Sequence, residues 1–362
     1  MEKIVFAGSF DPLTNGHLWV IKESLEIADK LIVFVAENVI KNTLFDSKER
    51  KKMIEDSCRV NGFGDKVEVL IVRNEYVAKK ASQMGATHLI RGIRIAMDFD
   101  YEELIHKTNV NVLGGSKTLF VMPPRDLENV SSAFVKSLIG PVGWHWHVKE
   151  FVPQPVYYKI LEDFIGKIAK TNINSIKIND FLNIVFSNYS NKDRYYHNLE
   201  HIVHCLQEML WLQNNSNEKL NYEQICAAIL AHDIVYGLKQ DICDEVLSAN
   251  LLLECLGVDF KFASNLVLAT QHSAKKKAYT LEEKIIRSID LTILGQDNKL
   301  YQKYAENVRK EYGYMEDSVY IAGRKIVLEK FLAKEKIFED NSFSHYELMA
   351  RQNIKQELIK LN

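Results

Sequence analysis

The chain has two kinds of hydrophobic pattern, and the change between them limits the folds that it can adopt. Up to about residue 137, short apolar runs alternate with segments whose apolar residues recur at helical spacing. The apolar runs that have the length and composition of buried strands are Ile4–Ala7, Leu31–Ala36, Val67–Val72, His88–Ile90 and Thr118–Met122. Strands that alternate with amphipathic helices predict an α/β domain with a parallel sheet covered on both faces.

Helical periodicity fills the gaps between these strands and then occupies the rest of the chain. In the first half, the helical segments are Leu18–Ala28, Lys48–Val60, Tyr76–Met84, Phe99–Val112 and one that begins at Ser131. In the second half, they are Ile178–Ser187, Leu199–Gln213, Tyr222–Val235, Glu245–Leu256, Lys261–Gln271, Leu281–Leu294, Lys299–Tyr312, Ser318–Ala333 and Tyr346–Leu361. Between the halves, Ala169–Lys177 is polar and reads as a linker. We therefore predict a multidomain chain, with an α/β domain over residues 1–165 and an all-α domain over residues 175–362.

Composition excludes several classes of partner. The chain has 362 residues, of which 47% are hydrophobic and 26% charged, as in ordinary globular proteins. A formal net charge of -2 argues against broad binding to nucleic acid. The five cysteines show no CxxC spacing, which predicts reduced thiols in a cytoplasmic protein. No stretch is apolar enough to span a bilayer, so we expect neither secretion nor a membrane partner.

The first strand leads into a turn that is suited to holding phosphate. Gly8 and Ser9 end the apolar run, and Asn15-Gly16-His17 opens a helix. Backbone N–H groups and the positive end of the helix dipole meet at such a turn. The string is neither the Walker pattern nor GxGxxG, which excludes both of those loops. His17 lies on the first helical turn and is expected to face a bound phosphate.

Other polar stretches are expected at the same carboxyl edge of the sheet. Lys41 follows the second strand, and Arg91 and Arg94 flank Gly92 at the end of the fourth. Guanidinium groups beside a glycine suit phosphate oxygens. Both arginines could instead be solvated or ion-paired, and Lys41 could be an ordinary surface lysine. Asn129–Lys136 is a serine-containing helix start whose hydroxyl and N–H groups would hold a triphosphate.

Together these four motifs, in this order over about the first 160 residues, resemble the bacterial phosphopantetheine adenylyltransferases of the nucleotidylyltransferase superfamily. Ser9 stands where many members have Thr, and Ala133 replaces a third hydroxyl. The resemblance implies a Rossmann-like fold and transfer of the adenylyl group of ATP to 4'-phosphopantetheine, with Mg²⁺ bridging the phosphates. The products would be dephospho-coenzyme A and pyrophosphate. It also implies a homo-oligomer, commonly a hexamer.

The same resemblance assigns roles to individual residues. His17, Lys41 and Arg94 would act catalytically by stabilising the transferring phosphate and the leaving group. The positions implied in nucleotide or acceptor binding are Ser9, Phe10, Lys41, Val77, Arg91, Gly92, Arg94, Glu102, Asn109, Ser131 and Ser132. No enzyme nucleophile is required, because the attacking phosphate is already an anion.

Polar residues in the second half fall in widely separated pieces. His197 and His201 lie one helical turn apart, His232-Asp233 ends an apolar helix, and Asp290 lies inside another. A His-Asp pair is usually an ordinary helix end. An ionised Asp within apolar sequence needs a partner, however, and a metal ion is a good one.

His, His-Asp and a distant Asp on helices resemble the HD superfamily of metal-dependent phosphohydrolases, and the strings YHNLEH, HDIVY, EVLSA and DLTILG resemble one branch of it. The resemblance implies an all-α HD-type domain. Its implied metal ligands are His197, His232, Asp233 and Asp290. The ion would be Mn²⁺, Fe²⁺, Ni²⁺, Co²⁺, Zn²⁺ or Mg²⁺. Glu245 is the candidate for a general base or for a carboxylate that orients a metal ligand, and His201 and His272 have either a substrate-binding, second-ion or structural role.

Three functional interpretations stay open, all with small-molecule substrates. The favoured one is a bifunctional enzyme, an adenylyltransferase of coenzyme A biosynthesis fused to a metal-dependent phosphohydrolase of a phosphoester or nucleotide. The second keeps the first activity and makes the helical half a regulatory or oligomerisation module that binds a nucleotide without turnover. In the third, the first half transfers the nucleotide to another phosphate acceptor.

Overall fold

The computed structural model of the chain describes residues 3–37, 40, 42–94, 96–111, 117–237, 243–271 and 278–361. The chain divides into two compact units, Met1–Ile160 and Leu161–Asn362. The division falls inside a helix that runs from Gln154 to Asn172. The polar stretch Ala169–Lys177 therefore overlaps the end of this helix and lies beyond the division.

The first unit is built on a five-stranded parallel sheet. Its strands are β1 (Lys3–Gly8), β2 (Lys30–Glu37), β3 (Val67–Arg73), β4 (Ala86–Gly92) and β5 (Lys117–Val121). They lie in the order β3-β2-β1-β4-β5, each parallel to its neighbours. The predicted strands and their parallel arrangement are confirmed. β4 is longer than predicted, because Arg91 and Gly92 still pair with β5.

Helices connect the strands of this unit, as predicted. These connecting helices are α1 (Asn15–Ile27), α2 (Ser47–Val60), α3 (Val77–Gln83) and α4 (Ala96–Asn111). After β5 come α5 (Ser132–Leu138), α6 (Trp144–Val148) and α7 (Gln154–Asn172), the helix that crosses the division. α1 begins earlier than the apolar periodicity predicts, because Thr14 caps it. The Thr14 hydroxyl accepts a hydrogen bond from the His17 N–H, and the His17 ring accepts one from the Thr14 N–H.

The second unit is mostly helical, as predicted. Its helices are α8 (Ile178–Tyr189), α9 (Leu199–Asn215), α10 (Tyr222–Ala231), α11 (Asp244–Leu256), α12 (Lys261–Ala269), α13 (Leu281–Leu291), α14 (Asn298–Glu311), α15 (Asp317–Ala333) and α16 (Glu347–Lys360). α9 and α10 form the centre of this unit, since most of their side chains are buried. Between the helices lie short 3-10 turns such as Thr292–Gly295.

α10 ends earlier than predicted, at Ala231 instead of Val235. The Asp233 N–H donates to the Tyr189 hydroxyl at 3.1 Å instead of to a carbonyl one turn back. The Arg194 guanidinium donates hydrogen bonds to the carbonyls of Asp233 and Ile234, at 2.6 and 2.9 Å. These tertiary hydrogen bonds satisfy the backbone groups that a longer helix would have used. They place His232-Asp233 at the end of the helix.

Two expectations from composition concern the whole chain. The five cysteines are free thiols, and Cys58, Cys205 and Cys226 are buried. Across the described ranges, no helix is both long enough and apolar enough to cross a bilayer.

Candidate functional site

The turn after β1 is held in place by a buried carboxylate. Asp11 is 2% exposed. Its side chain accepts hydrogen bonds from the backbone N–H groups of Leu44 and Phe45, at 2.9 and 3.0 Å, and an ion pair from Lys136 at 2.9 Å. One side chain thus ties the β1 turn to the segment before α2 and to α5. In the sequence, Asp11-Pro12 is typical of a turn and does not indicate this role.

A buried arginine supports the same turn. The Arg50 side chain on α2 donates to the Ser9 carbonyl at 2.6 Å, to the Ala36 carbonyl at 3.4 Å and to the Asp46 carbonyl at 3.3 Å. It joins the ends of β1 and β2 through backbone acceptors. The sequence does contain a signal for this role, because position 50 is in helical phase with the buried residues of α2.

His17 faces the site as a neutral hydrogen-bond donor. Its Nδ1 accepts from the Thr14 N–H at 3.0 Å, so the ring proton of the neutral form lies on Nε2. Burial, with the neighbouring Arg94 and Arg91, lowers the pKa of His17 from 6.5 to about 4. The imidazole is therefore neutral near pH 7. The Phe10 ring packs edge-on against it, with 5.2 Å between centroids.

Both predicted arginines are paired with carboxylates. Arg91 donates to both oxygens of Glu102, at 2.8 and 2.6 Å, and to the Ala7 carbonyl at 2.6 Å. Arg94 donates to both oxygens of Asp98, at 3.0 and 3.3 Å, and its side chain is 36% exposed. Arg91 is thus fixed by the fold, while Arg94 is open to the cavity beside it.

The two predicted serines lie at the start of α5. The Ser131 hydroxyl caps the helix by accepting from the Phe134 N–H at 3.1 Å. The Ser132 hydroxyl donates to the Pro12 carbonyl at 2.8 Å, which fixes α5 against the turn after β1.

Two adjoining cavities collect most of the predicted residues. The first has a volume of about 310 Å³ and is lined by Ser9, Phe10, His17, Arg91, Gly92, Arg94, Glu102, Ser131 and Ser132, among others. The second has a volume of about 340 Å³ and includes Val77 and Asn109. Ser9, Arg91 and Glu102 line both cavities. They lie where the strand order reverses, between β1 and β4. Lys41 lies outside the described residues.

In the second unit, three predicted ligands meet around His201. The Nε2 atoms of His201 and His232 are 3.0 Å apart. An Asp233 carboxylate oxygen lies 3.0 Å from the His232 Nε2 and 3.6 Å from the His201 Nε2. The corresponding distances for Asp290 are 3.6 and 3.3 Å. The Cys205 sulfur lies beside the His201 ring, at 3.8 Å.

Hydrogen bonds orient the imidazoles of this cluster. His232 Nδ1 donates to the Ile229 carbonyl at 2.8 Å, which turns Nε2 towards the cluster. Burial alone would raise the pKa of Asp233, but His232 and His197 hold it below its ordinary value. Asp233 is therefore a carboxylate at neutral pH.

His197, the remaining predicted ligand, has other close partners. Its Nδ1 lies 2.7 Å from Glu311, whose other oxygen accepts from the His197 N–H at 2.9 Å, and its ring stacks on Tyr236. His201, one turn later, lies in the cluster instead. The sequence has no signal for Glu311, which follows His197 by 114 residues.

A cavity of about 490 Å³ opens beside this cluster, and we name it the apolar cavity. Asp233, Asp290, His197 and Glu245 line one part of it. Tyrosines and aliphatic side chains from α13, α14 and α15 line the rest. Glu245, the predicted general base, thus opens into the same space as two predicted ligands. His272 lies outside the described residues.

Known proteins match the first unit. Residues 5–137 match a cytidylyltransferase-like family model. A phosphopantetheine adenylyltransferase of Chromobacterium violaceum is 42% identical over 161 residues, which are 44% of this chain and 96% of that protein. One of Neisseria meningitidis serogroup C is 37% identical over 162 residues, 45% of this chain and 94% of that protein. A crystal structure of a bifunctional NMN adenylyltransferase/ADP ribose pyrophosphatase from Francisella tularensis shares 17% identity, with a TM-score of 0.27, over 38% of this chain and 40% of that one.

The parallel sheet and the family match define the first unit as a nucleotidyltransferase of the cytidylyltransferase-like class. Relatives that are matched over nearly their whole length identify a particular family within this class. The chain belongs to the phosphopantetheine adenylyltransferase family. The predicted resemblance of the first half is confirmed. These matches reach at most 45% of the chain, and the HD identity of the helical unit remains a prediction.

Proposed function

We propose that the first unit transfers the adenylyl group of ATP to 4'-phosphopantetheine. The observation that carries the proposal is the pair of adjoining cavities that share Ser9, Arg91 and Glu102. One cavity would hold the nucleotide and the other the acceptor, so that both phosphates meet near Ser9. Relatives that bear this name are matched over almost all of their length.

In this reaction an acceptor phosphate oxygen bonds to the α-phosphorus of ATP, and the bond to pyrophosphate breaks. The His17 Nε2–H would donate to the transferring phosphate, since Nδ1 already accepts a hydrogen bond from Thr14. Arg94 and Lys41 would offset the charge that develops on the leaving group. ATP would enter with Mg²⁺. The predicted homo-oligomer remains part of this proposal.

Replacing His17 tests this site. We expect His17→Ala to lower kcat for pyrophosphate release by about 10²–10³, the usual effect of losing one donor to a developing charge. His88→Ala is a matched control, since His88 lies near the start of β4, away from the lining of both cavities. A folded His17→Ala protein with unchanged turnover would exclude the proposed role. Equal turnover with nicotinamide mononucleotide or glycerol phosphate as the acceptor would support the third interpretation instead.

We further propose that the second unit is a metal-dependent phosphohydrolase. Two atoms that are each about 2.1 Å from one ion lie about 3.0–3.4 Å apart. The Nε2 atoms of His201 and His232 lie 3.0 to 3.6 Å from each other and from the Asp233 and Asp290 oxygens, which is close to the spacing of ligands on a shared ion. The His197–Glu311 pair is the arrangement that commonly orients a metal-bound imidazole, so His197 stays a candidate fifth ligand.

When bound, the ion would acidify a water molecule for attack on phosphorus. The chain's own residues would do the rest. Glu245, which lines the apolar cavity, would take the proton of the attacking water. Asp233 would keep its negative charge because His232 and His197 lower its pKa.

Metal content and turnover test this second activity together. We expect the full chain with Mn²⁺ to hydrolyse a phosphoester or nucleotide from a panel, and chelation or His201→Ala to reduce turnover at least about tenfold. His204→Ala is the matched control: His204 is buried on the same helix and bonds to Thr292 outside the cluster. Measured metal stoichiometry in His197→Ala decides whether His197 is a ligand. Nucleotide binding without metal or turnover would support the regulatory module.

A further inference from the structure

The residues that line the apolar cavity restrict the ligands that it can bind. The inference drawn from them below rests on the proposed phosphohydrolase and concerns the class of its substrate. Among the described residues that line the cavity, eight are aliphatic or otherwise apolar and five are tyrosines. The carboxylates Asp233, Asp290 and Glu245 also line the cavity, and the first two belong to the cluster. One part of the ligand would therefore contact the ion, and a larger part would lie against apolar and aromatic surface.

The cavity offers little positive charge to a ligand. Of its described lining residues, Arg324 is the one with a permanent positive charge. Its guanidinium donates to both oxygens of Glu357, at 2.8 and 3.1 Å, and to the Tyr304 hydroxyl at 3.3 Å. The charge is neutralised by a partner that is part of the fold. A ligand with several phosphates would bring negative charge that these side chains do not offset.

Helix α15 leaves room for a bulky group at one position. Gly323 lies in the middle of this helix and lines the cavity, and a Cβ added there would meet nothing within 4 Å. Val319 and Val327, one turn before and after, line the same wall and are 60% and 42% exposed. A glycine inside a helix costs about 1 kcal/mol relative to alanine. Gly323 is exposed where α15 borders the cavity, so a longer side chain there has room to extend over the cavity.

We propose that the apolar cavity binds a phosphomonoester with a large, flat, apolar body, and that Gly323 sets the size of the body that fits. In the reaction the water oxygen bonds to phosphorus and the ester P–O bond breaks. The products are inorganic phosphate and the free alcohol, which takes up a proton. The body of the substrate lies between the tyrosines and the α15 wall, and the phosphate lies at the cluster.

The test compares three probes with the Mn²⁺-loaded full chain: 1-naphthyl phosphate, glycerol 3-phosphate and inorganic tripolyphosphate. We expect kcat/KM to be at least about tenfold higher for the naphthyl ester than for the other two. Gly323→Leu, which fills open space, should raise KM for the naphthyl ester at least about tenfold and leave glycerol 3-phosphate unchanged. Gly166→Leu is the control. It makes the same change inside α7, also with open space around the added Cβ, away from the cavity lining.

A binding measurement separates this inference from the hydrolase proposal. The nonhydrolysable 1-naphthylmethylphosphonate is titrated with metal-free protein and with Mn²⁺-loaded protein, and the change in its fluorescence measures binding. Binding that Gly323→Leu weakens and Gly166→Leu does not supports the cavity assignment, even if no ester is hydrolysed and the hydrolase proposal fails. Absence of binding, equal binding to Gly323→Leu, or faster hydrolysis of tripolyphosphate than of the naphthyl ester would overturn it.

Discussion

His17 owes its chemical state to its immediate surroundings. The Thr14 N–H occupies one ring nitrogen, and burial with two arginines disfavours protonation. The same residue type behaves differently in the helical unit, where His197 has Glu311 as its partner. The residue type alone therefore does not tell whether a histidine near a phosphate is a cation or a neutral donor; the groups around each ring decide this.

The lowered pKa of His17 predicts its pH dependence. Because the pKa falls from 6.5 to about 4, the folded protein binds fewer protons than the unfolded chain between these values. The contribution of His17 to stability is therefore complete above pH 6.5 and is lost as the pH falls towards 4. In the titration of ring NMR shifts, assigned with His17→Gln, we expect a midpoint near 4.

Arg94→Gln provides the control for that titration. Burial is the largest cause of the shift and the Arg94 charge comes second, so this variant should raise the His17 midpoint without restoring 6.5. A wild-type midpoint near 6.5 would show that the ring is open to water, and it would remove the argument for a neutral donor.

At the scale of elements, the first site depends on how loops meet at one edge of the sheet. Asp11 and Arg50 hold the turn after β1 through backbone groups of neighbouring segments. Neither side chain was assigned a role from the sequence. Their partners lie up to 125 residues away, and hydrophobic periodicity does not identify such pairs.

Arg50→Met tests this support. The Ser9 and Ala36 carbonyls would lose a side-chain donor, whereas the Asp46 carbonyl keeps the backbone N–H of residue 50. This predicts a loss of about 1–3 kcal/mol in the free energy of unfolding. Adenylyl transfer should fall as well, because the turn carries Ser9. Arg59→Met, on the same helix, is the control: the Arg59 side chain is 73% exposed and pairs with Asp56, so we expect a change below about 0.5 kcal/mol. Denaturant unfolding measures both, and equal losses would contradict the assigned role of Arg50.

At the scale of the molecule, two compact units each carry at least one cavity lined by histidine and carboxylate side chains. The first is a member of a known transferase family, and its cavities contain nearly all of the predicted residues. The second concentrates His201, His232, Asp233 and Asp290 among helices. The two proposals are independent, so failure of the hydrolase would leave the adenylyltransferase untouched.

The sequence by itself determined the class of each unit and the main elements of the first site. Apolar runs and helical periodicity are local properties, and the elements they predict are present within a few residues. Tertiary structure decided the rest: that His201 joins the cluster, that Glu311 holds His197, and that Gly323 opens a cavity wall. Each of these depends on atoms brought together from distant parts of the chain. Two histidines one helical turn apart have the same pattern in sequence, and only the packing around them distinguishes their partners.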